Sequence, residues 1–148
     1  MRLEITRKAD LAVRAMAVLT AGGGRLKGNE LAAGLDTTPG FLPQVIGPLV
    51  KAGWVRSDPG PAGGYRATDA AAALSVLQII EAIDGPTDTG RCVVADGPCD
   101  ARHPCALHEA WAGARSALLA TLDATPLAAL ASQPARRATR GGAVAAAR

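Results

Sequence analysis

The sequence predicts a mainly α-helical fold: a helix-turn-helix with a two-stranded wing, closed by a long carboxy-terminal helix. Three observations predict it. Of the 148 residues 49% are hydrophobic but only 3% are aromatic; alanine fills the gap, and alanine favours helix while burying little area, which argues against an all-β fold. Apolar residues recur at helical spacing in several stretches. Two short runs at residues 54–57 and 65–68 read as strands, and they follow directly on a pair of helices joined by a tight turn.

Each element has its own signal. Ile5, Ala9, Ala12, Met16 and Leu19 mark one face of a helix over about residues 6–20, ended by Gly22, Gly23 and Gly24. A short helix is expected over residues 29–35, with Asn29 able to cap it. Thr38 before Pro39 reads as N-cap and first helical position, so a third helix runs from there to about Ala52, stopped by Gly53. The turn over residues 58–64 is longer than a tight hairpin allows, hence a wing. Leu74, Leu77, Ile80 and Ile83 mark a fourth helix, stopped at Gly85 and Pro86. Residues 105–123 carry Leu107, Trp111, Ala114, Leu118 and Leu122 as a narrow stripe, more like a helix–helix seam than a face sunk in a core. A short piece over residues 127–131 follows, and the Ala/Arg/Gly tail over 132–148 is expected to be disordered.

The length suits one domain. It divides into residues 1–84 with the helix-turn-helix and wing, a loop at 85–104, the long and short closing helices at 105–131, and the tail. Residues 1–66 hold nine Lys/Arg against five Asp/Glu, residues 67–131 three against eight, and the tail four against none. A basic amino-terminal half suggests an anionic partner, although scattered surface charge is the plain alternative. No secretory signal and no apolar span of about 18 residues is visible, so the chain is expected to be cytoplasmic, with no membrane partner. Three cysteines in a reducing compartment do not suggest a disulfide scaffold.

Two constellations carry function. In residues 30–55, Leu31, Leu35, Leu42, Val45 and Leu49 must meet across the turn, with Ala32 and Ala33 letting the helices approach. Such a unit lays its second helix in the major groove of double-stranded DNA. Thr38, Gly40 and Gln44 are then candidates at base edges, glutamine being able to pair bidentately with adenine. Gly60 at the wing turn joins them, and Arg2, Arg7, Lys8, Lys27 and Lys51 supply phosphate-side charge. An ordinary helical hairpin is the alternative, and the wing weighs against it. Pro43 and Pro48 lie in the recognition helix, where Pro48 removes the bond to the Gln44 carbonyl and should kink it. Basic side chains are sparse on that helix.

The second constellation is Cys92, Cys99, Cys105 and His108. His108 falls one helical turn after Cys105. Soft thiolates select zinc or iron–sulfur clusters. The tight C-x-x-C pair that structural zinc prefers is missing, and wider spacing suits a cluster. A helix amino terminus at Cys105 favours the thiolate. His103, beside Pro104, reads as a solvated loop histidine. Unrelated cysteines, and a zinc-stabilised DNA-binding protein without a sensing role, are the alternatives. An enzyme is not expected: there is no Ser/His/Asp arrangement, phosphate loop or HExxH, and a Cys105–His108 nucleophile would lack an oxyanion hole.

With these landmarks the chain resembles the winged helix-turn-helix regulators typified by IscR, NsrR and RirA. The match runs from MRL to about Leu130 through ADLAVRAM, the helix-turn-helix, GGY at the wing, IDGP, the three-cysteine loop and ATPLAAL. The resemblance implies a homodimer joined by the long helix and reading a palindromic operator. It implies an iron–sulfur cluster on Cys92, Cys99 and Cys105, with operator affinity gated by cluster state. His108 matches the fourth ligand of the IscR group and goes with 2Fe–2S, the favoured form. Asp10 stands where the NsrR group supplies an acidic ligand from the partner subunit, and goes with 4Fe–4S. Pro59 stands where the family carries a wing-tip arginine, and Pro43 and Pro48 replace polar residues of the recognition helix.

Overall fold

The structure, a computed structural model, describes residues 4–95 and 97–131. Arg2 and the tail at 132–148 lie outside the described residues. In chain order come α1 (Arg7–Gly22), α2 (Gly28–Gly34), α3 (Leu42–Lys51), β1 (Val55–Asp58) and β2 (Gly64–Ala67). A 3-10 turn (Asp69–Ala73), α4 (Val76–Asp84), α5 (His108–Asp123) and α6 (Leu127–Ala131) complete the fold. This is the mainly helical winged architecture the spacing predicts.

Helix α1 lies at the centre, touching α3, α4, α6 and β2. Ala9, Ala12, Met16 and Leu19 are buried as expected, and so are Leu11, Val13 and Ala15. Ile5 is not: it precedes the Thr6 cap and is exposed. The Thr6 hydroxyl accepts from the Ala9 N–H at 3.1 Å and donates to Asp84 Oδ1 at 2.6 Å. One side chain thus caps α1 and ties it to the end of α4. Gly23, with φ of 58°, closes α1 in the left-handed region.

Asn29 does not cap α2. The Lys27 N–H donates to the Glu30 carboxylate at 3.0 Å, so an acidic side chain one turn in satisfies the first backbone donor. Leu31, Leu35, Leu42, Val45 and Leu49 are all buried together with Ala32, whereas Ala33 faces solvent. Helix α3 starts at Leu42, later than Thr38 and Pro39 suggest. Thr38 instead accepts the Phe41 N–H, on its hydroxyl at 3.2 Å and its carbonyl at 3.1 Å, in a tight turn. Pro43 has no N–H for the Pro39 carbonyl, and Gln44 donates to Phe41, so the regular ladder is delayed. The helix then continues through Pro48 to Lys51, held by the buried Val45, Ile46 and Leu49.

The wing strands pair antiparallel from Val55↔Ala67 to Asp58↔Gly64. Its glycines are steric necessities: a Cβ at Gly63 would run into the backbone of Asp58 and Pro59, and one at Gly64 into the Leu26 carbonyl. Leu26 also exchanges two backbone bonds with Tyr65, at 2.9 and 2.8 Å, so the segment before α2 lies along the wing.

Leu74 is buried ahead of α4 rather than within it. Ser75 caps α4 in a reciprocal box with Gln78, and the buried face is Val76, Ile79 and Ile80. Helix α5 begins at His108, because residues 105–107 form a turn; among the described residues none on α5 is buried. The chain then folds back. Val76 donates to the Thr125 carbonyl at 2.9 Å and Leu127 to the Leu74 carbonyl at 2.8 Å, which drives the Leu127 side chain into the core beside α1.

Replacing Leu127 with alanine should therefore cost about 2–5 kcal/mol in urea unfolding. Val18→Ala, on the exposed side of α1, should cost no more than about 0.5 kcal/mol. Equal small losses would show that α6 is not part of the core.

Candidate functional site

The loop between α4 and α5 is folded as a hairpin. Cys92 N–H donates to the Gly97 carbonyl at 3.0 Å and Cys99 N–H to the Gly90 carbonyl at 2.8 Å. This sets Cys92 and Cys99 beside the start of α5. Cys105 lies in the turn before the helix and His108 is its first residue. The four predicted side chains come together as two pairs: Cys92 Sγ is 3.8 Å from Cys105 Sγ, and Cys99 Sγ is 3.2 Å from His108 Nδ1. They line a cavity of about 240 Å³ shared with Trp111 and Arg115.

The pairing has chemical content. Two thiolates held at about 2.3 Å by one tetrahedral metal stand about 3.8 Å apart, the separation of Cys92 and Cys105. Among the described residues no three His, Cys, Asp or Glu side chains are grouped around one point suited to a single ion. Two donor pairs facing one cavity are what a two-metal centre takes, so the donor set fits an iron–sulfur cluster.

The surroundings tune the thiols unequally. The backbone N–H groups of Ala95 and Val94 hold the Cys92 thiol below the ordinary cysteine range, with the Ala95 N–H 3.4 Å from Sγ. Burial, followed by the charge of Cys92, pushes the Cys99 thiol up. Arg115, which sequence reasoning missed, donates to Asp88 Oδ1 at 2.6 Å and so clips the loop onto α5. Its signal was present only as a lone cation on an otherwise uncharged helix stretch. His103 turns away to Asp100, 2.9 Å from Nδ1, with 85% of its side chain exposed. Asp10 is 3.7 Å from Arg14 on α1 and does not line the cavity in this chain.

The second surface surrounds the helix-turn-helix. Thr38 and Gly40 lie in the turn before α3, and Gln44 in its first turn; all three are exposed. Lys51 is exposed at the far end of α3, and Gly60 is exposed at the wing turn with φ of 93°. Arg7 donates to the Asp36 carbonyl at 3.2 Å and shares an open groove with Thr37, Thr38 and Phe41. Lys27 is exposed and Lys8 half-buried.

The family model for Rrf2, described as an iron-dependent transcriptional regulator, matches residues 5–133. An HTH-type transcriptional regulator of Mycobacterium tuberculosis is 32% identical over 129 residues, 85% of this chain and 80% of that protein. IscR of Aliivibrio salmonicida is 30% identical over 127 residues, covering 84% of this chain and 75% of its own. Among solved structures, CymR, the global cysteine regulator of B. subtilis, superimposes with a TM-score of 0.73 at 28% identity, over 88% of this chain and 98% of that one.

In the reduced, metal-free chain Cys92 should alkylate faster than Cys99 at neutral pH. A lowered pKa leaves more thiolate there, and a raised pKa less. The difference should shrink as pH rises through the thiol range. Peptide mapping after a brief iodoacetamide pulse measures it; the reverse order would refute the assigned environments.

Proposed function

Since the chain belongs to the Rrf2 family of transcriptional regulators, DNA-binding proteins related to IscR and CymR, we propose that it senses an iron–sulfur cluster that controls its affinity for an operator. The observation that carries this reading is the pair of donor pairs at one cavity. Cys92 with Cys105, and Cys99 with His108, would hold the cluster, and two ligands per iron favours 2Fe–2S. The alternative is a 4Fe–4S form whose fourth ligand is Asp10 of the partner subunit. When bound, the group supplies a reversible one-electron centre that oxidants or iron shortage can dismantle. A zinc-stabilised reading is disfavoured, because the described donors are not grouped for one ion.

The protein's own contacts offer a route to the DNA surface. Asp88 and Arg115 fasten the cysteine loop to α5. At the other end of α5, Asp123 accepts from the Ser75 hydroxyl at 3.0 Å, at the start of α4. The last residue of α4, Asp84, accepts from Thr6, and next to it Arg7 reaches the Asp36 carbonyl in the helix-turn-helix. Release of the loop would loosen the first link and bias the rest. Helix α5 would carry the homodimer: Leu118 on it is 38% exposed, and Leu107, its N-cap, 50%. A two-fold pair would read a palindrome with half-sites about one helical turn apart, using Thr38, Gly40, Gln44, Lys51 and Gly60, with Arg2 contributing from outside the described residues.

Anoxically purified protein should contain iron and acid-labile sulfide, with visible absorption lost in Cys92→Ala, altered in His108→Ala and kept in Asp10→Ala. Stripping the cluster should change affinity for a selected operator by about 5- to 150-fold, the usual size of allosteric coupling. Absence of iron and sulfide, or identical holo and apo affinity, would overturn the sensing role and leave DNA binding standing.

A further inference from the structure

The tip of the wing, residues 59–63, carries no cation: it reads Pro59, Gly60, Pro61, Ala62, Gly63. The cations sit on the face of the sheet instead. Side chains alternate between faces along a strand. On β1, Val55 is buried while Arg56 is exposed, and Asp58 shares the Arg56 face. On β2, Arg66 is the exposed residue, and it stands directly opposite Arg56. The segment before α2 extends this face. Leu26 bridges Tyr65, which turns the flanking Arg25 and Lys27 to the other side. Arg25 confirms its side by reaching Asp58 at 3.0 Å and the Ala62 carbonyl at 3.0 Å. Four cations therefore share one face with a single acid, Asp58, already engaged by Arg25 and, at 3.2 Å, by Arg56. Arg66 has no acidic partner among the described residues. Like charges directly opposite each other on a sheet destabilise it, and exposed ion pairs of this kind return little.

We propose that this outward face, through Arg56 and Arg66 with Lys27 beside them, seats on the sugar–phosphate backbone of double-stranded DNA. It rests on the DNA-binding reading and adds the charge that the cation-free tip does not supply. The contacts are to phosphate, so they set affinity and register and carry no base preference. Arg25 ties the segment before α2 to the wing through Asp58 and the Ala62 carbonyl.

The test uses full-length protein and two labelled duplexes, one carrying a site selected by the protein from random sequence and one of unrelated sequence. The readout is the slope of log affinity against log salt. Each lost phosphate contact should reduce that slope by about 0.9. The double variant Arg56→Gln/Arg66→Gln should therefore flatten it by about two for each protomer bound, on both duplexes alike, with a thermal melt no lower than that of the wild type. An unchanged slope would overturn the proposal, as would a loss confined to the selected site, which indicates base reading. If the double variant melts early, the single variants Arg56→Gln and Arg66→Gln decide, each read where it is fully folded: a slope flatter by about 0.9 for each protomer supports the contact, and an unchanged slope overturns it. Wild-type protein that binds neither duplex would instead defeat the DNA-binding reading itself.

Discussion

Everything in this fold leans on α1, a helix that buries seven of its sixteen residues. Ala9, Ala12 and Ala15 are fully buried and small enough to let neighbouring backbones come close. Helices α3, α4 and α6 and the strand β2 can therefore share one axis. A chain with few aromatics has little apolar area per residue to bury, and close approach around a slender helix is how it still builds a continuous core. The helix-turn-helix and the wing are positioned by that packing, not by their own connections.

The cysteine loop stands outside this core. Its described residues are exposed or half-buried, and it is held by backbone turns, two pairs of soft donors and the Asp88–Arg115 contact. Segments held by few apolar contacts open at low cost. The division is physical: a closely packed core surrounds α1, and a segment with few buried residues lies against the start of α5. The polar links at Ser75–Asp123 and Thr6–Asp84 join the two at helix ends.

Much of this was legible in the residues. Leu31, Leu35, Leu42, Val45 and Leu49 meet because local periodicity dictates it, whereas the helical phasing of His108 on Cys105 does not hold: Cys105 lies before α5, and His108 meets Cys99 instead. What failed was local competition and long-range closure. Thr38–Pro39 is a sound start signal, but Pro43 withholds the donor that the first turn needs. Cys105 sits in a turn because the helix ladder begins with the Leu107 carbonyl accepting from Trp111. Leu26 leaves no trace of strand pattern, since one bridge to Tyr65 is all it makes. Without it, the common face of Arg25, Arg56 and Arg66 is invisible. The pairing of donors two by two is likewise a property of the folded loop, because spacing alone cannot tell one metal from two.

The two wing glycines have a genetic corollary. Every missense change at either codon adds a Cβ, and at Gly63 and Gly64 that atom meets backbone, which cannot swing aside as a side chain could. These two codons consequently have no neutral missense neighbours. The binding surface can drift in charge and reach over generations, yet the hinge of its hairpin stays closed to exploration.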